Sequence, residues 1–207
     1  MSTPTPYDDA PVLPDAGPLE LRSLFHPRPE RLELDIGPGR GGFVFERLVF
    51  EPRACLVGLE IRRKWAAIVD ARLRDRGLGG RARVFAADVR DVIPRVAEAS
   101  VAAVYVHFPD PWWKKRHHKR LVVCAEFVRQ AARILAPSGE LFIQTDVLER
   151  ARHYRTVVGA EPRLVPLGND PYVSNNPYGA RSPRERRAEA DGLPVYRLRY
   201  RRLGGRP

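Results

Sequence analysis

Short apolar runs alternate with longer segments of helical periodicity from Arg31 onward, and this alternation is typical of a parallel α/β sheet. The run 101–106 (VAAVYV) is the most apolar, which predicts a central strand covered on both faces. The remaining runs predict four further strands, over residues 32–36, 55–59, 82–86 and 140–144.

The segments between these strands predict helices over about residues 43–49, 62–76 and 121–135, with a Pro-Ser-Gly turn over 137–139. In the second helix the apolar side chains fall on one face, and Gly77 is a suitable C-terminal stop. Near the C-terminus Tyr196, Leu198 and Tyr200 alternate with arginines, which predicts a half-buried strand with a basic outer face.

Domain organisation follows from length and proline content. Residues 1–29 hold seven prolines and little apolar periodicity, so we expect a mobile or extended acidic tail. Residues 30–207 form one domain, since a chain of 207 residues can bury most of its apolar surface around a single core.

Location and redox chemistry are suggested by what the sequence lacks. No uncharged apolar run approaches the roughly 18 residues of a membrane-spanning helix, and the first residues do not resemble a secretory signal. Cys55 and Cys124 lie in apolar runs and are expected to be core residues. We therefore expect a cytoplasmic protein, monomer or homodimer, with no metal and no membrane partner.

The charge balance points to a polyanionic partner. The net charge is +11, and because residues 1–21 carry four acids and no base, the remainder carries +15. An excess of this size favours a nucleic acid as partner. The high share of arginine, 32 of the 36 basic residues, also fits a bias of genomic base composition.

Acidic residues recur where the predicted strands end. Each strand is followed at or just past its C-terminal end by one carboxylate: Asp35, Glu60, Asp88, Asp110 and Asp146. In open α/β sheets this edge is where ligands bind. The pattern predicts an acidic ligand site.

The loop after the first strand satisfies a nucleotide-binding pattern. Residues 37–42 (GPGRGG) match G-x-G-x-x-G, with Gly37 and Gly39 placed to let a ligand approach the backbone, and Glu60 follows the last glycine by 18 residues. The pattern fits a plain glycine turn, a dinucleotide site or an S-adenosylmethionine site. Asp35 lies too near the loop to favour an anionic pyrophosphate, so electrostatics favour the cationic S-adenosylmethionine.

A second segment, HFPDPWWKKRHHKR over residues 107–120, combines three kinds of chemistry. Two prolines restrain Asp110, and Trp112 and Trp113 offer faces for stacking on bases. Residues 114–120 bring five fixed positive charges and two histidines, a strong phosphate-binding pattern.

This segment closely resembles the FPDPWxKxRHxKRR motif of bacterial tRNA (guanine-N7-)-methyltransferases. The resemblance extends to the segments LELDIGPGRGG, GLEIRRK and IQTD, and covers roughly residues 31–150 with the motifs in the family's order. It implies a Rossmann-like class I S-adenosylmethionine-dependent methyltransferase, with a mostly parallel twisted sheet and helices on both faces. The implied activity is methylation of N7 of the variable-loop guanine in tRNA.

The resemblance also implies roles for single residues. Asp35, Glu60, Asp88 and Asp110 match the acids of the cofactor site, and Asp110 also matches the residue that the family regards as catalytic. Lys114 and Asp146 match positions that the family assigns to the tRNA substrate. The C-terminal stretch departs from the family's T-x-F-E-x-R-G pattern, because Pro194, Val195, Tyr196 and Arg197 stand where T-x-F-E is usual.

Two other functions remain open on the sequence alone, one catalytic and one not. The loop around Asp110 distantly resembles the D-P-P-[WY] loop of amino-methyltransferases, although the order of its residues differs. The chain could instead be an RNA-binding relative without catalysis, but a set of cofactor-site acids has little use in a pure binder.

Overall fold

A computed structural model describes residues 7–109 and 121–204 of the chain. Eight strands form one mixed sheet in the order β3-β2-β1-β4-β5-β8-β6, with β7 also paired to β8. The strands are β1 (Arg31–Ile36), β2 (Ala54–Glu60), β3 (Ala82–Ala86), β4 (Val101–His107), β5 (Leu135–Thr145), β6 (Leu164–Pro166), β7 (Tyr172–Val173) and β8 (Tyr196–Arg202).

The five predicted strands of the parallel part are confirmed, as is the C-terminal strand. Strands β1 to β5 run parallel, so all five end at one edge of the sheet, while β8 is antiparallel to β5, β6 and β7. Strand β5 begins at Leu135, earlier than expected, so the predicted turn over 137–139 lies within it. The pairing of β4 with β5 is irregular there, between Val101 and Ala103.

Helices cover both faces of the sheet. They are α1 (Gly42–Phe50), α2 (Arg63–Asp75), α3 (Val89–Val92), α4 (Ala125–Ile134), α5 (Leu148–Gly159) and α6 (Pro183–Ala190). Buried side chains of α1 and α2 share one apolar cluster with Tyr105, and those of α3, α4 and α5 share another with Val104. Successive residues of β4 therefore face opposite layers, as predicted for a central strand.

The segment before β1 is closely packed, although its regular structure is limited to a 3-10 helix over Leu21–Leu24 and a single bridge between Leu19 and Val96. Four of its apolar side chains, Leu13, Leu19, Leu21 and Phe25, are buried in the core, and Leu19 forms backbone hydrogen bonds with Arg95 and Ala97. The expected mobile tail over residues 1–29 is thus not what the described part, residues 7–29, shows. Periodicity could not reveal this packing, because the buried side chains follow neither a helix nor a strand period along the sequence.

No helix within the described ranges is long and apolar enough to cross a membrane.

Replacing Phe25 by alanine tests the packing of this segment. Phe25 is 1% exposed, so the truncation is expected to lower the free energy of unfolding by about 3–5 kcal/mol. The matched control is Val12→Ala in the same segment, where the side chain is 56% exposed and a change within about 0.5 kcal/mol is expected. Urea unfolding of both variants measures the difference, and equal stabilities would contradict the packed segment.

Candidate active site

The glycine loop between β1 and α1 requires glycine at specific positions. Gly37, Gly39 and Gly41 have φ values of 72°, 55° and 77°, a region that other residues adopt at a cost. A Cβ at Gly41 would also lie 2.6 Å from Cγ1 of Val69 in α2. The loop can therefore turn sharply into α1 while its backbone remains open to a ligand.

A cavity of about 590 Å³ lies beside this loop at the edge where the parallel strands end. The glycine loop, the ends of β1, β4 and β5, and the first residues of α6 form its walls. Its lining residues include Asp35, Gly37, Gly39, Phe43, His107, Phe108, Pro109, Thr145, Asp146, Arg150, Pro183 and Arg184.

Asp35 is the unusual acid of this cavity. It is fully buried, and neither carboxylate oxygen has a hydrogen-bond partner among the residues that the structure describes. Burial raises the pKa of Asp35 well above its ordinary value, and the nearby carboxylates of Glu60 and Glu33 raise it further. A cationic ligand group would relieve both effects, because it would supply hydrogen-bond donors and a compensating charge.

Glu33, two residues earlier on the same strand, is a buried acid whose charge is compensated within the protein. Glu33 is equally buried but accepts hydrogen bonds from Arg47 at 2.7 and 2.8 Å and from Arg31 at 2.6 Å. Although burial opposes ionisation, these two arginines hold the pKa of Glu33 below its ordinary value. Glu33 is a structural ion pair, and Asp35 is not.

Glu60 ends β2 and holds the glycine loop in place. One carboxylate oxygen accepts from the backbone N–H of Gly39 at 2.9 Å, and the other accepts from the N–H of Arg62 at 3.0 Å. Each oxygen retains a second lone pair for a hydroxyl donor. Glu60 therefore combines a structural contact with capacity for a ligand.

Asp88 follows β3 and caps α3. Its carboxylate accepts from the backbone N–H of Arg90 at 2.9 Å and pairs with the guanidinium of the same residue. The hydrogen bond from the Arg90 side chain is the main reason that the pKa of Asp88 is lowered. Asp88 is thus ionised and lies just past the edge strand β3, outside the set of residues that line the cavity.

Asp146 follows β5, lines the cavity, and pairs with Arg184 of α6. The structure thus brings Asp35, Gly37, Gly39 and Asp146 to one cavity, with Glu60 directly beneath the loop. Asp110 and Lys114, predicted from the sequence, lie outside the described residues. The chain reaches the cavity wall at Phe108 and Pro109, immediately before Asp110.

Helix α6 forms a wall that sequence reasoning missed. Ser182 accepts a hydrogen bond from the N–H of Glu185 at 3.1 Å, and Pro183 occupies the first turn. This Ser-Pro-x-Glu pattern is a helix-start signal that could have been found. Its packing on the glycine loop could not, because it depends on Gly42, where a Cβ would lie 2.8 Å from the Pro183 ring.

Comparisons with known proteins place the chain in a family. Residues 29–198 match a family model described as a putative methyltransferase. The tRNA (guanine-N(7)-)-methyltransferase of Anaeromyxobacter dehalogenans (strain 2CP-C) is 40% identical over 93% of this chain and 95% of its own. That of Myxococcus xanthus (strain DK1622) is 38% identical over 81% and 82%, respectively. The chain belongs to the tRNA (guanine-N7-)-methyltransferase family.

The solved structures agree on the fold. The 16S rRNA methyltransferase KamB superposes with a TM-score of 0.61 at 18% identity, covering 89% of this chain and 91% of that chain. The expected Rossmann-like class I methyltransferase fold is thereby confirmed.

The departure from the family's C-terminal pattern has a structural counterpart. Arg197, which stands in place of the usual acid, is buried on β8 and pairs with Glu185 at 2.9 Å and Glu189 at 2.6 Å. Both acids come from α6. The substituted base is therefore neutralised within the protein and anchors α6 to the sheet.

The unpartnered state of Asp35 generates a stability prediction. Above pH about 4 the unfolded chain releases the Asp35 proton, whereas the folded chain retains it to higher pH, so Asp35 increasingly destabilises the protein as the pH rises. Asp35→Asn is expected to raise the free energy of unfolding at pH 7 by about 1 kcal/mol or more, and to have little effect near pH 4.

The matched control is Asp70→Asn. Asp70 is equally buried but accepts hydrogen bonds from the N–H of Val84 at 3.0 Å and from Arg83 at 2.9 Å. This variant is expected to be destabilised at pH 7, because the Arg83 charge loses its partner. Urea unfolding at both pH values measures the effects, and a destabilised Asp35→Asn at pH 7 would contradict the account of Asp35.

Proposed function

We propose that this protein transfers the methyl group of S-adenosylmethionine to N7 of the variable-loop guanine of tRNA. The observation that carries the proposal is the 38–40% identity, over 81–93% of this chain, to proteins named tRNA (guanine-N(7)-)-methyltransferase. The cavity wall, which contains a buried carboxylate without a partner among the described residues, supports it. The proposal includes a cytoplasmic location, where the protein would meet tRNA.

The residues present suit S-adenosylmethionine better than a dinucleotide. When bound, this cofactor supplies an electrophilic methyl group on a sulfonium centre, and its methionine part carries an ammonium. In this proposal Asp35 would accept from the ammonium and Glu60 from the ribose hydroxyls, and Asp88 would be on the adenine side, as the family resemblance implies. A pyrophosphate at this loop would instead lie close to a buried acid with no counter-charge of its own among the described residues.

The chemistry places modest demands on the protein. Guanine N7 has an exposed lone pair, so no general base is needed to make it nucleophilic. The chain must orient N7 in line with the transferred methyl group, an effect worth up to about 7–11 kcal/mol in favourable cases. Asp110, held between two prolines, would stabilise the positive charge that develops on the purine and accept from its N1–H and N2–H groups.

The experiment is incubation of unmodified tRNA with labelled S-adenosylmethionine and identification of the nucleoside by mass spectrometry. We expect 7-methylguanosine from the wild-type chain. Asp110→Ala is expected to lower turnover by about tenfold to hundredfold while S-adenosylmethionine still binds. The control is Asp91→Ala, which removes an acid on α3 outside the cavity lining and should preserve turnover.

Other products would decide against the proposal. A methylated exocyclic amine would identify an amino-methyltransferase, and retained tRNA binding without any product would identify a non-catalytic relative. Near-normal turnover in Asp110→Ala would show that this residue has no catalytic role.

The ion pairs narrow down which basic residues can bind tRNA. The arginines of segments 181–187 and 197–202 are further candidates for binding phosphates beside residues 114–120. Many of those arginines already have acidic partners: Arg181 with Glu189, Arg184 with Asp146, Arg186 with Glu46, Arg187 with Asp191, Arg197 with Glu185, Arg199 with Glu140 and Arg202 with Glu98. We therefore assign most of the phosphate binding to residues 114–120.

Neutralising two lysines of that segment tests the assignment. Lys114→Gln combined with Lys115→Gln is expected to reduce the slope of log affinity against log salt by about 2. The control is Arg53→Gln, an 80%-exposed charge beside the opposite end of β2, for which an unchanged slope is expected. Filter binding of tRNA across a salt series measures both slopes, and equal slopes in all three proteins would refute the assignment.

A further inference from the structure

Three polar side chains lie in one row across neighbouring strands, beside the cavity and at the end of the sheet where the parallel strands terminate. The register pairs His107 of β4 with Gln144 of β5, and Gln144 with Arg197 of β8. Because paired residues of neighbouring strands point to the same face, all three project toward the layer that contains Phe43 of α1. Glu185 of α6 closes the row from above, with its carboxylate fully buried.

The hydrogen bonds in this row have only one consistent direction. The Glu185 carboxylate accepts from Arg197 at 3.0 Å, from Asn176 at 2.9 Å and from the amide nitrogen of Gln144 at 2.7 Å. The amide oxygen of Gln144 must then face His107, whose Nδ1 lies 2.7 Å away. Since that oxygen can only accept, Nδ1 of His107 carries the proton and donates it.

This arrangement fixes the state of the other ring nitrogen. Burial lowers the pKa of His107 to about 4, despite the hydrogen bond to Gln144, so the ring is neutral at pH 7. With the proton on Nδ1, Nε2 is an acceptor with a free lone pair. It is buried and has no hydrogen-bond partner in the part of the chain that the structure describes.

Packing holds the ring in this orientation. The centroid of Phe43 lies 4.2 Å from that of His107, and the rings of Tyr105 and Phe142 follow at 5.9 and 6.1 Å. A buried acceptor without a donor costs about 1–3 kcal/mol, so an ordered ring that leaves one unpaired in the wall of a cavity has a functional explanation. His107 lines the same cavity as Asp35.

We propose that His107 is a binding residue whose Nε2 accepts a hydrogen bond from an N–H group of the bound reactants, and that Gln144 and Glu185 are positioning residues that fix its tautomer. This inference rests on the proposed function. Two reactants offer such N–H groups: the ammonium of S-adenosylmethionine, which has three, and the target guanine, which has them at N1 and N2. Asp35 accepts from the same class of donor.

The first test reads the tautomer directly and needs no catalysis. In protein labelled with ¹⁵N-histidine, long-range ¹H–¹⁵N spectra distinguish a protonated from an unprotonated ring nitrogen, and His107→Phe assigns the signals. We expect His107 to be protonated at Nδ1 and bare at Nε2 at pH 7. A proton on Nε2 would overturn the proposal.

Two glutamates of α6 provide a matched pair for the positioning role. Glu185→Gln can present either end of its amide to Gln144, so the His107 tautomer should become mixed. Glu189→Gln removes the same charge from the same helix and the same Arg197 partner, but Glu189 has no contact with Gln144 among the hydrogen bonds of the described residues. It should leave the spectrum unchanged. Equal effects of both variants would indicate a purely structural role.

The second test identifies the donor with His107→Phe, which keeps the aromatic packing and removes Nε2. A loss of about tenfold in affinity for S-adenosylhomocysteine without tRNA, measured calorimetrically, would assign the ammonium. Unchanged cofactor affinity with about tenfold lower kcat/KM for tRNA would assign the guanine. If neither changes while wild-type protein still forms 7-methylguanosine, the His107 proposal fails and the proposed function stands; a wild type without that product defeats the function instead.

Discussion

Charge buried on one face of the sheet has to be compensated, and most of this structure follows from how that is achieved. On the face covered by α1, α2 and α6, Glu33 is paired with Arg47, Asp70 with Arg83, and Glu185 with Arg197. Each pair joins a helix to a strand, so neutralising a buried carboxylate also fixes that helix to the sheet. Isolated buried charges would cost far more than the fold can supply. Asp35 has neither an ion-pair partner nor a hydrogen-bond donor among the described residues, and it lies where a cationic ligand would complete the pairing.

The same constraint changes the meaning of the basic excess. The net charge of +11 already counts every carboxylate, and many arginines in or beside α6 and β8 have carboxylate partners, so the excess lies mainly on basic residues elsewhere in the chain. Along the sequence, acids recur singly after the strands, whereas bases are concentrated in residues 114–120. This sorting would suit a protein that binds a cationic cofactor and a polyanion, because each ligand is repelled by the other's site.

Most of the parallel sheet could be predicted from the sequence because buried strands are nearly continuous apolar runs. The meeting of the acids at one edge could be predicted because parallel strands end at the same side of the sheet, where ligands bind. The packing of residues 7–29 against the core was not predicted, since residues such as Leu13 and Phe25 are buried singly and at irregular spacing along the sequence. Helix α6 was not predicted because it buries just two residues, Ala188 and the charged Glu185, and so lacks an apolar stripe. The contact of Gln144 with Glu185, 41 residues away, depends on register and packing that no local pattern encodes.

The C-terminal departure from the family's pattern is intelligible in these terms. An arginine at residue 197 would be an uncompensated buried charge unless an acid faced it, and α6 supplies two. The altered residue is therefore compatible with the fold because its neutralisation comes from a separate helix. That helix also carries Pro183 and Arg184 into the cavity wall, so the exchange ties the position of α6 to the shape of the site. Through Gln144, the same carboxylate that neutralises Arg197 sets the proton position on His107, so the exchange in β8 is linked to an acceptor at the cavity.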